Sequence, residues 1–524
     1  MFLTQLLFGT FFCKLFGFSF TLLRIIGVIS GVLGIVIMYH ILMQIQDSMK
    51  VATIGSLLFA MNPIFLNGAN SFHTDVPTTL FMLLSFFWFI RFFHSHSISS
   101  YAFGVLFAII ACTIKQTSLS IGLAFFIYFF ITSQRNIRNV IIAMLPLFLM
   151  GSLIYFYHIA ITSYNLDLPG AFIQKGLNDI FLGKLFNVDF GVLKRTGYHI
   201  INTALSLGIF ASPIILPFTI KSFFNTKIKA SNIVQLAIGF LFIALFVLIK
   251  IYFRSKQGVM GGGIWYMPFV GSNIYDFGVG PLLVTGIQQN EVPGAFKAGI
   301  YLWFIVSIIG AISFISFLNI IIRLKRSLLT PIVLSGKIIS LPFFPLLIML
   351  ISFIPYLFLY PHAKYLTLYF PFMIITIISA LNIIREKSYF SCQISFKTLI
   401  ACIIPIIMFG VMGERDYMSF NRTKWDALNY LTETEKIPVA KIDGGFEFNE
   451  WHLSHLYTWK MTDDPSKDGR FWPVVDDEYI VTVTEIEGYD VYKEFKYNKW
   501  LPPAEHRIKV LRRISRHKSS CDAL

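Results

Sequence analysis

Apolar runs of about twenty residues recur along most of this chain, and that recurrence constrains the fold more than any single motif does. VATIGSLLFAMNPIFLNGA (51–69) is one such run, and VPTTLFMLLSFFWFI (76–90) begins the next. As helices, runs of this length match the hydrocarbon thickness of a bilayer. Twelve are expected to span it: 21–44, 51–69, 76–93, 99–115, 117–133, 138–158, 197–220, 231–252, 300–322, 338–360, 366–384 and 397–413. Only 14% of the residues are charged, where a soluble domain carries about 25%. The fold class this implies is an all-α polytopic transmembrane protein of about 12 helices over residues 1–413. A small soluble α/β domain follows over residues 414–524. Residues 1–20 are apolar but interrupted by Lys14 and Gly17, which suits an interfacial helix better than a span.

The charges divide with the hydropathy. Residues 1–413 hold 26 of the 43 Lys and Arg but only 8 of the 28 Asp and Glu. The basic excess therefore belongs to the membrane part, where it reads as topology and lipid contact. The tail is slightly acidic, which argues against nucleic acid as a partner. Five scattered cysteines (13, 112, 392, 402, 521) form no metal-binding or disulfide pattern.

The connecting loops alternate in character. One set is short and basic, with Lys50, Arg91, Arg135 and Arg138, then Lys221, Lys227 and Lys229, then Arg323, Lys325, Arg326 and Lys337, then Arg385, Lys387 and Lys397. The positive-inside rule puts this set in the cytoplasm. The other set holds HTD (73–75), KQT (115–117), the long loops 159–196 and 253–299, PHAK (361–364) and the whole tail. Every segment rich in chemistry thus falls on the non-cytoplasmic face. In the tail, 423–433 reads as an amphipathic helix and 438–445, 478–486 and 506–514 as strands.

Acids are the scarcest groups before residue 414. Asp47 and Glu386 belong to cytoplasmic loops, and Asp167, Asp179, Asp189, Asp276 and Glu291 to long outer loops. Asp75 differs, because it sits in a tight connection at the membrane edge beside His73 and Thr74. It can simply be the N-cap of the next helix, with Pro77 early in that helix, or it can be the base or metal-contacting acid of a site opening outward. Lys115, followed by Gln116, lies on the face that the positive-inside rule disfavours for a lysine. A lipid phosphate would give it a partner. His362, Lys364 and Tyr365 in YPHAKYLTLYFP repeat the pattern: a cation, an imidazole and a phenol able to bind a phosphodiester through charge-assisted hydrogen bonds. Gly261–Gly263, Trp265, Tyr266 and Tyr275 suit an interface belt or a sugar-stacking wall. NRT (421–423) fits the N-glycosylation pattern, a triplet common by chance.

In order along the chain, KLFGFSFTLLRIIGVISG (14–31), NPIFLNGANSFHTDVPTTLF (62–81), IKQTSL (114–119), HAKYLTLYFPF (362–372) and IDGGFEFNEWH (442–452) resemble bacterial members of glycosyltransferase family 39. These are GT-C-fold membrane enzymes related to dolichyl-phosphate-mannose protein mannosyltransferases and lipid A aminoarabinose transferases. The resemblance implies transfer of a sugar from a polyprenyl-phosphate donor to a lipid, glycan or protein acceptor on the outer side of a membrane, here a bacterial inner membrane. It casts Asp75 as the catalytic residue, which orients or deprotonates the acceptor hydroxyl or contacts a metal. His73, Lys115, Gln116, His362, Lys364 and Tyr365 would bind substrate. A divalent metal is compatible with this reading but not required by it, and no metal ligands are assigned. The family usually begins with a further helix and an outer loop bearing an acidic residue. Residues 1–20 contain no Asp or Glu, so a chain starting at Met1 is expected to be impaired. A multi-span transporter or scaffold with an external sensing tail is the alternative. Such proteins commonly carry pseudo-repeats and broken helices.

Overall fold

The computed structural model describes residues 3–163, 189–225, 267–269, 273–286, 299–324, 342–358, 362–386, 394–454 and 472–514, with a few short pieces between them. It resolves into two compact units. The first comprises Met1–Gly261, Tyr266–Gly271 and Ile300–Gly410; the second comprises Gly262–Trp265, Ser272–Gly299 and Val411–Leu524.

The first unit is helical. In chain order its helices are α1 (Leu3–Phe16), α2 (Phe20–Ile45), α3 (Met49–Ala60), α4 (Pro63–Ala69), α5 (Asp75–Ser95), α6 (Ile98–Ile114), α7 (Leu119–Thr132) and α8 (Ile137–Ser163). After them come α9 (Phe190–Asn225), α10 (Gly299–Arg323), α11 (Phe343–Phe358), α12 (Leu366–Glu386) and α13 (Phe396–Asn429), which enters the second unit at Val411. Among the described residues, seven helices are long and apolar enough to cross a membrane, and the bent pair α3–α4 would make an eighth. Helices α6, α7 and α11 are apolar but shorter. The protein is a multi-pass membrane protein, with the all-α class expected from its apolar runs. The run 231–252 lies almost entirely outside the described residues.

One expected span departs from a straight helix. Residues 51–69 bend by 68°. The cause is local: Asn62 leaves the helix, its Oδ1 accepts from the Ile64 and Phe65 amides at 3.0 and 3.3 Å, and Pro63 starts α4 at a position needing no donor. Gly17 (φ +81°) ends α1, and the Ser19 hydroxyl caps α2. Helix α12 is the axis of the unit, with nearly every side chain from Leu366 to Ile384 buried. Around Phe344 of α11, the rings of Phe86, Phe93 and Phe125 pack at 5.1–6.5 Å between centroids.

Where α2 passes the connection 69–74, a glycine is obligatory. A Cβ on Gly27 would stand 2.3 Å from the Ser71 carbonyl oxygen and 2.7 Å from that of Ala69. Both obstacles are backbone, so relief requires moving the connection that carries His73 and Asp75. Gly27→Ala is expected to destabilise the protein by roughly 1–3 kcal/mol, the usual range for overpacking. Gly151→Ala in α8, where nothing lies within 4 Å, should be neutral or stabilising. Thermal unfolding of both variants in detergent checks this; equal melting temperatures would refute it.

In the second unit the C-terminal part of α13 packs on a four-stranded sheet. Its strands are β3 (Ile442–Asp443), β4 (Tyr479–Thr482), β5 (Tyr489–Trp500) and β6 (Pro503–Arg513), in the order β3–β4–β6–β5. The β3–β4 pair is parallel and the others antiparallel. A small hairpin, β1 (Ile274–Tyr275) and β2 (Gly278–Val279), precedes it in the chain, and α14 (Phe446–Leu453) follows β3. Phe420, Leu428, Leu431, Ile442, Val481 and Val510 form the core. The segment 423–433 does not start a new helix but completes α13, ending in a π turn at Tyr430–Thr434. Of 438–445, only Ile442–Asp443 is extended, because residues 439–441 form a 3-10 turn. Asn421 of the NRT triplet is buried inside α13, and its amide donates to the Tyr417 carbonyl at 3.1 Å. It is therefore no surface acceptor for a glycan.

Candidate active site

Three helix connections of the first unit carry the residues singled out in the sequence, and the structure brings most of them together. Helix α5 begins at Asp75, with Thr74 as its N-cap, so Asp75 is the first helical residue rather than the cap. Its carboxylate does not close the helix end. Oδ1 accepts a short hydrogen bond from Lys115 Nζ, and Oδ2 lies 2.9 Å from His73 Nδ1. The helix N-terminus adds its partial positive charge. Asp75 is only 2% exposed, so these groups and not water hold its charge.

The other two connections share one backbone design. Lys115 ends α6 in an extended conformation, a 3-10 turn covers Gln116–Ser118, and α7 follows. His362 is likewise extended, a 3-10 turn covers Ala363–Tyr365, and α12 follows. The Ser118 hydroxyl and the Tyr365 amide each donate back to the carbonyl three residues earlier, at 2.7 and 3.1 Å. Both turns bring a lysine to the Tyr365 ring, and Lys115 reaches Asp75 directly. The Lys115 ammonium also lies 4.4 Å from the centre of the Tyr365 ring, and that of Lys364 5.5 Å from the same ring. Lys364 is close enough to act on the charge of Asp75. Among the described residues it has no carboxylate within 4 Å, so it is the uncommitted cation of the site. Gln116 opens its turn, partly buried.

His362 faces Tyr365 edge-on at 5.9 Å. Burial and the nearby Lys364 cation push its pKa down to about 4. At neutral pH it is thus an uncharged donor or acceptor, not a third cation. The unfolded chain binds that proton near pH 6.5, so between about pH 4 and 6.5 the unfolded state holds more protons and stability rises with pH. His362→Gln should flatten the fall in melting temperature between pH 7 and pH 5; an unchanged slope would contradict the assignment.

Several residues reach the site without a signal in the sequence. Tyr356 of α11 stacks on Tyr365 at 3.9 Å, and its hydroxyl is buried. With Asn202 and Ser206 of α9, Tyr356, Tyr365 and Tyr369 line a small cavity beside His362. Among the described residues, the Asn202 Oδ1 buried there has no hydrogen-bond partner. Thr79 joins α5 to α12, its hydroxyl meeting the carbonyls of Asp75 and Thr367 at 2.8 and 3.3 Å. Helix α1 fastens the outer edge. Gln5 donates to the Phe72 carbonyl at 3.1 Å, and the Thr4 hydroxyl pairs with Thr113, two residues before Lys115. Of these residues only Tyr365 was singled out in the sequence; Asn202, an amide in an apolar helix, carried no pattern.

A divalent cation does not fit this donor set. One carboxylate faces the ammoniums of Lys115 and Lys364, so a metal there would meet like charge and would have to displace Lys115 from Asp75. Among the described residues no group of three or more His, Cys, Asp or Glu is placed to hold one. Gly261–Gly263, Trp265, Tyr266, Asp167, Asp179 and Glu291 lie outside the described residues, as do most of 159–188 and 253–299. Asp276 is buried in the β1–β2 turn of the second unit.

A buried carboxylate flanked by two cations, at one end of a helical membrane unit, narrows the comparison with known proteins to a question of family. Residues 5–161 match the dolichyl-phosphate-mannose-protein mannosyltransferase family. The resemblance to glycosyltransferase family 39 is therefore borne out over that stretch, which contains most of α1, all of α2 to α7 and most of α8, with His73, Asp75, Lys115 and Gln116. This family is one of membrane glycosyltransferases. No curated protein and no solved structure matches the chain.

Proposed function

We propose that the protein is a membrane glycosyltransferase moving a sugar from a polyprenyl-phosphate donor to an acceptor hydroxyl on the non-cytoplasmic face. The observation that carries this reading is the meeting of Asp75, Lys115 and Lys364 from three separate connections, in a stretch that matches a mannosyltransferase family over its first two members. Asp75 takes the proton of the acceptor hydroxyl, whose oxygen attacks the anomeric carbon. The bond from that carbon to the phosphate oxygen breaks, and its electron pair leaves with the polyprenyl phosphate. A phosphate leaves readily, so no second carboxylate is needed as general acid. Lys364 opposes the charge that grows on the leaving group. Lys115 orients Asp75 and keeps it ionised in its buried position. Attack from the face opposite the phosphate inverts the anomeric centre. The neutral His362 and Tyr365 fit the donor's oxygens and sugar face.

Basic connections such as Arg135–Arg138, between α7 and α8, then lie in the cytoplasm, and residues 414–524 lie outside. Reporter fusions at Asn136 and Lys436 test the sidedness, with the first expected inside and the second outside. The chemistry is tested by reconstituting the purified chain with a panel of polyprenyl-phosphate sugars and following release of polyprenyl phosphate. Uptake of a solute into those vesicles without release would favour a transporter and overturn the proposal.

A further inference from the structure

The second unit contains a cavity of about 280 Å³ that the transfer chemistry does not use. Four pieces of chain form it: the β2 end of the small hairpin with Gly280 and Leu282, the face of α13 carrying Tyr417 and Phe420, Val483 just after β4, and the β5–β6 ribbon carrying Tyr497, Lys499 and His506. Gly280 has φ +92°, and a Cβ there would stand 2.5 Å from the Tyr417 ring, so the hairpin lies directly against that aromatic wall. Tyr497 pairs across the ribbon with His506, their rings 5.7 Å apart, and meets Phe420 edge-on at 6.0 Å.

The charges around this cavity are unequally committed. Asp416 is 2% exposed and satisfied: it accepts from the Trp500 amide at 2.8 and 3.0 Å, the Leu501 amide at 2.9 Å and Arg415 at 3.1 Å. Its work is to close the ribbon's turn. Arg507 pairs with Glu494 at 2.6 Å, Lys509 with Glu485 at 2.6 Å, and Glu505 with Lys496 at 3.1 Å. Lys499 and His506 remain. Among the described residues Lys499 has no carboxylate within 4 Å, although it is partly buried, and burial lowers its pKa as it does that of His506. The carboxylates of Asp416 and Asp276 act on this ammonium only from beyond ion-pair distance, so with room in front of it and aromatic faces beside it, it can take an anion in direct contact.

We infer that this cavity binds a hexose-sized sugar carrying a negative charge, with the sugar ring against Tyr417 and Tyr497 and its anionic group on Lys499 and His506. The volume is that of a small-molecule site and has room for a sugar ring. The inference is independent of the transfer reaction, since none of these residues belongs to the Asp75 site. It gives the tail a role in holding an acidic glycan.

The purified full-length chain in detergent is titrated calorimetrically with glucuronic acid, glucose 6-phosphate, glucose and inorganic phosphate. Both charged sugars are expected to bind saturably, with Kd on the order of 1 mM. Glucose and inorganic phosphate should each bind at least tenfold more weakly. Lys499→Met should weaken both charged sugars tenfold or more, while Lys499→Arg retains most of the binding. Circular dichroism and the melting curve of each variant show whether the tail remains folded. His506→Gln, on the opposite strand, provides a second and smaller loss. Overturning results are absence of saturable binding, equal affinity for glucose, equal affinity for inorganic phosphate, or unchanged affinity in a folded Lys499→Met.

Discussion

Asp75→Asn is expected to leave the protein in the membrane and remove transfer, lowering turnover by roughly 10²–10⁴, the range for losing a positioned general base. The substitution keeps the shape of the side chain and its place at the start of α5 but takes away the only acid at the site among the described residues. It also has a structural consequence. Lys115 donates to that carboxylate from a side chain only 16% exposed, and breaking a buried pair by removing one partner typically costs about 3–5 kcal/mol. The Tyr365 ring, 4.4 Å from the ammonium, softens this loss without cancelling it. Reduced stability and lost catalysis are therefore confounded in the single variant. The double variant Asp75→Asn/Lys115→Met separates them, because it removes the orphaned charge along with the acid. Its melting temperature should recover most of what Asp75→Asn loses, while transfer stays absent. Recovery of turnover in the double variant would mean that Asp75 only neutralises Lys115, and the catalytic assignment would fall.

The helices and the membrane class were legible because both rest on apolar run length, which burial in lipid imposes on every span. The Asp75 cluster was legible for a related reason. A charge at the edge of a nonpolar slab has few tolerable positions, so HTD, KQT and PHAK stood out, and loop alternation put all three at one end. What remained hidden depends on contacts rather than on patterning. The 68° bend in 51–69 follows from Asn62 accepting two amides next to Pro63, a capping signal embedded in an otherwise spanning run. Strand β5, YDVYKEFKYNKW, escaped because its charges look like a solvated loop. Most of its residues are in fact exposed, and a bulge between Val491 and Lys493 interrupts its alternation. The division of labour between the two lysines was also invisible, since both read as phosphate ligands. Only the geometry commits Lys115 to Asp75 and leaves Lys364 open.

That division makes Lys364 the residue whose loss should be felt by the donor. A sugar polyprenyl phosphodiester carries one negative charge, and a second develops as the bond to the anomeric carbon breaks. On the proposed reaction Lys364 is expected to act in both the bound and the transition state, and more strongly in the latter. A hydrogen bond to a charged group contributes about 1.5–3 kcal/mol, which corresponds to a tenfold to hundredfold effect. Lys364→Met is expected to raise KM for the lipid-phosphate donor about tenfold and lower kcat by a further tenfold or more. Stability should hardly change, since no carboxylate within 4 Å is left unpaired among the described residues. Lys364→Arg should recover part of the KM, because the charge returns while the ammonium's compact geometry does not. Lys115→Met gives the contrasting pattern: a large fall in kcat and in stability, through Asp75, with a smaller effect on donor KM. Steady-state kinetics over a range of donor concentrations distinguish the two. Equal KM and kcat in Lys364→Met and the parent chain would remove Lys364 from the site and move the phosphate elsewhere in the cavity.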